Sequence, residues 1–249
     1  MEIKKIARIE NSYVGKFGIP RQSGLADKVK ARIVFEPEYR NPDALRGIEG
    51  YSHLWLLWEF SETGREEGVW SPTVRPPRLG GNERVGVFAT RSPFRPNSIG
   101  LSSVRLLGVD YDCEDGPVLL VGGADLLSGT PIIDVKPYLP YTDSHPDAVG
   151  GFADRYAEYR LPVHIPPRIQ ADAERDGMSG EMFAELTEVL AQDPRPAYQN
   201  DPDRVYRMSY AAYEVAFSVT EIGVCVLEIE KRTAERAGRE TEDGGNNTN

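Results

Sequence analysis

The stretch from Val74 to Leu101, VRPPRLGGNERVGVFATRSPFRPNSIGL, rules out more folds than any other part of this chain. Four prolines (Pro76, Pro77, Pro93, Pro96) and four glycines (Gly80, Gly81, Gly86, Gly100) interrupt it, and only the run Val85 to Ala89 stays apolar. Proline fixes φ and glycine permits positive φ, so the stretch makes loops of defined course around a short strand rather than a helix. Loops held on a rigid element are where sites usually sit. From Arg75 to Arg105 there are six arginines and one acid, Glu83, in a chain whose formal charge is −10. A planar guanidinium binds carboxylates and phosphates through paired hydrogen bonds, so this cluster points to an anionic ligand. The bland alternative is that the arginines pair with nearby acids.

The totals narrow the class further. A length of 249 residues, 40% of them hydrophobic, allows one large domain or one domain with a smaller attachment. No apolar run reaches the ~18 to 20 residues of a membrane-spanning helix. The opening MEIKKIARIE alternates charge and hydrophobe, so no signal peptide is expected. Two cysteines, Cys113 and Cys225, make no disulfide framework and fit a reducing, cytoplasmic location. Three histidines (His53, His145, His164) lack metal-ligand spacing, so no metal is expected. There is no GxxxxGK[ST], no GxGxxG after a strand and no GxSxG. The acidic balance argues against indiscriminate nucleic-acid binding but leaves room for a focused basic patch.

Apolar spacing predicts strands at Ile3 to Ile9, Val29 to Phe35, Leu101 to Val109, Pro117 to Ala124 and Ile132 to Tyr138. SHLWLLWEF, Ser52 to Phe60, is near-continuously apolar and reads as a strand buried on both faces. Residues 12–22 carry too much glycine and proline for a helix and form a rigid loop offering Tyr13, Lys16, Arg21 and Gln22. Short strands joined by Gly/Pro loops make residues 1 to about 140 a β-barrel or sandwich. Composition shifts near Tyr141 to Pro146. Beyond it, Arg160 to Ile165 reads as a strand stopped by Pro166-Pro167. Gly180 to Gln192 reads as a helix capped by Ser179, and Tyr213 to Ile229 as a hairpin. The helix buries a stripe of Met182, Phe183, Leu186, Val189 and Leu190, with Glu181, Glu185 and Glu188 off it.

The arginine stretch also resembles the signature of the TrmO family, also called YaeB, TsaA-like or UPF0066. KFGIPRQ at Lys16 to Gln22, GIEGYSHLWLL at Gly47 to Leu57, DLLSGTPIIDVKPYLPY at Asp125 to Tyr141 and DPRPAY at Asp193 to Tyr198 are similar to that family in the same order. The resemblance covers most of residues 3 to 230. It implies a mainly β protein: an N-terminal β-barrel unlike Rossmann-type methyltransferases, with a small C-terminal α+β domain. On that reading residues 1–145 are the cofactor-binding catalytic domain, 146–231 the C-terminal domain and 232–249 a disordered tail. The implied activity is S-adenosylmethionine-dependent methylation of N6 of threonylcarbamoyladenosine, next to the anticodon of threonine-accepting tRNA, by a homodimer.

Carried onto matching positions, the resemblance implies a cofactor pocket of Pro20, Arg21, Gln22, Phe60, Ser61, Arg91, Leu101, Leu127, Ser128, Gly129 and Thr130. Ser128 stands where many relatives have Asp. If that side chain binds, its contact here is weaker; if the backbone binds, nothing changes. Asp134, Asp125 and Tyr138 are candidates for the group that takes the N6 proton. Asp134 has an equally good structural role paired with Lys136. Arg75, Arg78 and Arg95 are candidates for tRNA phosphates or the substrate's carboxylate. Two other readings stay open: the same pocket serving a different acceptor, and a non-catalytic barrel that binds cofactor or RNA.

Overall fold

A computed structural model of the chain describes residues 2–62, 69–76, 79, 83–195, 199 and 201–232. The first eight strands are β1 (Ala7–Asn11), β2 (Lys30–Phe35), β3 (His53–Glu59), β4 (Thr73–Val74), β5 (Val85–Gly86), β6 (Ile99–Asp110), β7 (Val118–Gly122) and β8 (Pro131–Pro137). Six of them close into a barrel in the order β1-β2-β7-β6-β3-β8, with β8 returning to β1 and every neighbour antiparallel. Closure leaves no free sheet edge. β4 and β5 form a separate two-stranded ribbon inside the arginine stretch.

Side chains alternate along a strand, so each barrel strand sends every second residue into the lumen. Ile9, Ile33, Leu54, Leu56, Leu119 and Ile132 fill it and are fully buried. The aromatic strand therefore differs from its expected burial on both faces. In β3, Leu54, Leu56 and Trp58 point inward, while Trp55 and Leu57 lie half-buried on the outer wall. There the Trp55 ring packs 5.4 Å from Tyr138, and its Nε1 donates to Asp143 Oδ2 at 2.8 Å.

A four-residue helical turn, α1 (Pro140–Asp143), leads out of the barrel. The C-terminal part adds β9 (Val163–His164), α2 (Pro167–Arg175), α3 (Gly180–Ala191), β10 (Tyr206–Tyr210), β11 (Tyr213–Thr220) and β12 (Gly223–Lys231). Its sheet runs β10-β11-β12-β9, with β9 parallel to β12. Ser179 caps α3, its Oγ accepting the Met182 amide at 3.2 Å. Pro166-Pro167 does not end a long strand but starts α2, with Pro167 at the first helical position, where a missing N–H costs nothing.

The core of this second sheet is not built from the C-terminal sequence alone. After β1 the chain leaves the barrel, and residues 13–29 pack against β10, β11 and α3. Tyr13, Ala26 and Val29 are buried there beside Leu186, Tyr210 and Phe217. Phe17 stacks on both Tyr206 and Phe217, with centroids 6.4 and 6.3 Å away. Gly18 has φ +99°, and a Cβ on it would lie 2.4 Å from Met208 Cε. Hydrogen bonds complete the seam: Ala211 N donates to Ser12 O at 2.8 Å, and the Gln192 side chain donates through Nε2 to Leu25 O at 2.9 Å.

The glutamates of α3 make a second seam. Their i, i+4, i+7 spacing puts them on one face. Glu181 pairs with Lys30, and Glu188 accepts the Lys28 amide at 2.8 Å. Glu185 is buried and accepts the Tyr210 hydroxyl at 2.8 Å. Burial pushes its carboxyl above the ordinary range, and the Tyr210 hydrogen bond partly offsets this.

Candidate functional site

Three loops meet at one mouth of the barrel because the strands that carry them end there. β3 ends at Glu59 and delivers Phe60 and Ser61. β6 begins at Ile99 and delivers Gly100 and Leu101. The turn between β7 and β8 supplies residues 125–130. Against this rim lie residues 16–22, held by the second core, and residues 90–95 of the arginine stretch. Together they enclose a cavity of about 590 Å³.

The floor is set by one close approach. Trp58 stands opposite Gly100 in the β3–β6 register, and a Cβ on Gly100 would lie 2.2 Å from the indole. The indole therefore lies over bare backbone, and its Nε1 donates to Ser102 Oγ at 3.0 Å. Ser102 Oγ in turn donates to Asp125 Oδ1 at 2.5 Å. Asp125 lines the cavity. Burial raises its carboxyl above the ordinary carboxylate range, opposed by the Ser102 hydrogen bond and by the nearby Arg91 charge.

Arg91 reaches across the cleft, its Nη1 donating to Gln22 Oε1 at 2.6 Å. Arg21 Nη2 donates to the Arg195 carbonyl at 3.0 Å, which anchors the same loop to the segment after α3. Arg95 folds back on its own loop and donates to Thr90 O at 3.0 Å. Arg84 Nη1 donates to Thr73 Oγ1 at 2.8 Å across the small ribbon. Among the described residues, none of Arg75, Arg84, Arg91 and Arg95 forms an ion pair with a carboxylate. The pairing alternative thus does not account for these four. Arg78 lies outside the described residues.

Nine of the eleven residues named for the cofactor pocket line this cavity: Pro20, Arg21, Gln22, Phe60, Ser61, Arg91, Leu101, Leu127 and Thr130; Lys16, Asp125 and the tRNA candidate Arg95 line it as well. Ser128 and Gly129 do not. Ser128 Oγ accepts the Asn11 amide at 3.2 Å, and Gly129, at φ +90°, donates its amide to Ile9 O at 2.7 Å. Both shape the turn and tie it to β1, so the Ser in place of Asp faces the barrel wall. Asp134 and Tyr138 are also elsewhere. Asp134 pairs with Lys136 at 2.8 Å, and Tyr138 packs on Trp55 at the other end of β3. Of the three proton-accepting candidates only Asp125 borders the cavity. Sequence reasoning missed Trp58, Gly100 and Thr90. The glycine opposite a tryptophan was the available signal, but it needs the strand register to be seen.

A second cavity of about 890 Å³ adjoins the first and shares Arg21, Gln22, Thr90, Arg91 and Pro93 with it. Its far wall comes from the turn of helix Gly151–Tyr156 that follows the barrel. Among the described residues no cluster of His, Cys, Asp or Glu could hold a metal ion, and no helix is long and apolar enough to cross a membrane.

Comparison with known proteins gives concordant matches. Residues 8–144 match the family model of the tRNA-methyltransferase O N-terminal domain, and residues 158–232 match that of the TrmO C-terminal domain. A tRNA (adenine(37)-N6)-methyltransferase of Escherichia coli K12 is 42% identical over 238 residues, covering 93% of this chain and 98% of that protein. A protein of the same name from Eikenella corrodens is 46% identical over 178 residues, covering 72% of this chain and 96% of that one. The crystal structure of TrmO from Pseudomonas aeruginosa superposes with a TM-score of 0.72 at 32% identity, covering 92% of this chain and 98% of that chain.

Proposed function

The chain belongs to the TrmO family, and we infer from that membership and from the rim cavity that it methylates N6 of adenine 37 in tRNA with S-adenosylmethionine. The observation that carries the site is the convergence of residues 16–22, 90–95 and 125–130 on one cavity at the barrel mouth. When bound, S-adenosylmethionine supplies an electrophilic methyl group on a positively charged sulfur. The donor set of the cavity fits such a molecule. Arg91 and Lys16 suit its carboxylate, and Ile19, Phe60, Leu101 and Leu127 suit its flat base. Glu59 and Asp125 suit positive charge. Pro20, Arg21, Gln22, Ser61 and Thr130 complete the wall, while Ser128 and Gly129 hold the turn in shape.

Methylation of N6 forms an N–C bond as the methyl–sulfur bond breaks with its electron pair left on a neutral thioether, and it releases the N6 proton. Asp125 is the group assigned to receive it. It borders the cavity, its burial raises its proton affinity, and Ser102 holds it in one orientation. The acceptor assigned here is adenine that already carries a threonylcarbamoyl group. The working unit assigned is a cytoplasmic homodimer. Residues 1–145 and 146–231 are read as catalytic and C-terminal domains; the tail expected at 232–249 lies, from residue 233 on, outside the described residues.

The test has two stages. Calorimetry of the purified chain should show one cofactor site. Incubation with methyl-labelled cofactor and tRNA bearing or lacking the threonylcarbamoyl group should then place label on N6 of the modified adenine, read by nucleoside mass spectrometry. Label on no tRNA would overturn the assignment, and label on unmodified adenine alone would overturn the acceptor.

A further inference from the structure

The second cavity is the larger of the two that share a wall, and its walls have a distinct chemistry. Three aromatic rings line it: Phe94 from the arginine stretch, and Phe152 and Tyr156 from the helical turn after the barrel. Arg75 and Arg84 open into it from either strand of the small ribbon, and Arg21 and Arg91 border it on the shared wall. One acid lines it, Asp154, and its carboxylate is already engaged in accepting the Gly150 amide at 2.8 Å. Flat apolar walls beside the Arg75 and Arg84 guanidinium groups, neither of which forms an ion pair among the described residues, select a flat ring system bearing a negative charge.

We propose that this cavity is the acceptor subsite: it takes a nucleobase out of an RNA loop, packs it against Phe152 and Tyr156, and holds an anionic group of that nucleotide with Arg75 and Arg84. The proposal rests on the methyltransferase reading above and adds where the acceptor lies and what selects it. Three observations bring it together. The subsite adjoins the cofactor cavity at Gln22 and Arg91, so a base packed in it extends its N6 past that contact into the first cavity, which Asp125 borders. Its positive charge is not consumed internally, since neither Arg75 nor Arg84 forms an ion pair among the described residues. Its far wall is the segment joining the barrel to the second sheet, so the subsite lies at the seam between the two. The anionic group has two sources of the same chemistry: a carboxylate on the N6 substituent, or a phosphate flanking the base.

Binding of fluorescently labelled anticodon stem-loops, measured by anisotropy with no cofactor present, tests this directly. Three RNAs are compared: adenine 37 with a carboxylate-bearing N6 substituent, the same substituent as the neutral amide, and unmodified adenine. Phe152→Ala and the double variant Arg75→Ala/Arg84→Ala should each bind the carboxylate RNA about tenfold more weakly or worse. Cofactor affinity by calorimetry should stay unchanged, since none of these residues lines the first cavity, and this also reports that the variants fold. If the arginine variant loses its preference for the carboxylate RNA over the amide, the base substituent is the anion. If it weakens all three RNAs equally, a phosphate is. Unaltered binding of all three RNAs by both variants, with cofactor binding intact, would sink the subsite and leave the methyltransferase reading standing. Failure of the wild-type chain to label tRNA would sink that reading instead.

Discussion

Arg91 and Gln22 meet at 2.6 Å although one belongs to the arginine stretch and the other to the loop that follows β1. Both residues line both cavities, so their contact stands where the two adjoin. It also shows how a strongly charged stretch can hold a defined shape without close ion pairs: a neutral amide fixes the Arg91 guanidinium, which faces the cavity that Asp125 borders. Arg91→Ala should weaken cofactor binding about 10- to 100-fold, as expected for loss of a hydrogen bond to a charged group. Gln22→Ala should cost only a few-fold, because the charge remains. Calorimetry on the double variant closes the cycle. Additive losses would show that the pair is not coupled.

Phe17 ties the cofactor loop to the second core through Tyr206 and Phe217. Phe17→Ala should destabilise the chain by about 3 kcal/mol, in line with other large-to-small core changes. Unlike a comparable truncation in the barrel core, it should also weaken cofactor binding, because Ile19, Pro20 and Arg21 follow directly. Urea denaturation and calorimetry on one preparation measure both. Full cofactor affinity in a folded Phe17→Ala protein would show that the loop holds itself.

Gly100→Ala introduces a methyl group where the Trp58 ring already lies. The ring must turn, breaking its bond to Ser102 and releasing the group that orients Asp125. A loss of about 1 to 3 kcal/mol is expected from overpacking. Tryptophan fluorescence should report a changed environment. An unshifted spectrum with unchanged stability would mean that the floor is softer than its geometry indicates.

Asp125→Asn keeps an oxygen to accept from Ser102 but cannot take a proton. Activity should fall about 100-fold or more if Asp125 is the proton acceptor. Stability gives a second readout. The fold raises the Asp125 carboxyl above its unfolded value. Its contribution is therefore fully present below the ordinary aspartate range of about 3.9 and lost as pH rises through the raised folded value. The variant does not titrate there, so it should gain on the wild type as pH rises through that window. Chemical denaturation across pH 4 to 7 measures the difference, and a constant gap would show that Asp125 is solvated.

Much of this was visible in the residues. The alternation of Ala31, Ile33 and Phe35 announced β2, and Ser179 before an apolar stripe announced α3. The loops that border the first cavity were named through resemblance, not through their spacing. β3 was misjudged because Trp55 and Leu57 are apolar on the outer wall, which hides the alternation of a barrel strand. α2 was missed because its charged sequence, PRIQADAER, offers one small stripe and begins with a proline that reads equally as a stop. The glutamates of α3 read only as lying off the apolar stripe; the partners of Glu181 and Glu188, Lys30 and Lys28, lie far back in the chain. Contacts of that kind leave no local trace. The Trp58–Gly100 approach and the shared wall of the two cavities likewise depend on register and closure.

The second core joins residues separated by as much of the chain as Gln192 and Leu25, which are 167 positions apart. That has a consequence for how the molecule is made. The barrel is fully encoded once β8 has left the ribosome, and it can close then. The segment bearing Tyr13, Phe17 and Ile19 cannot, because β10 and β11 have not yet been translated. Through that interval a nascent chain carries a finished barrel whose rim lacks one wall, with an apolar segment exposed beside it. Closure of the first cavity is therefore expected to follow translation of β11, and a chain cut short before β11 should keep its barrel and lose the wall formed by residues 16–22.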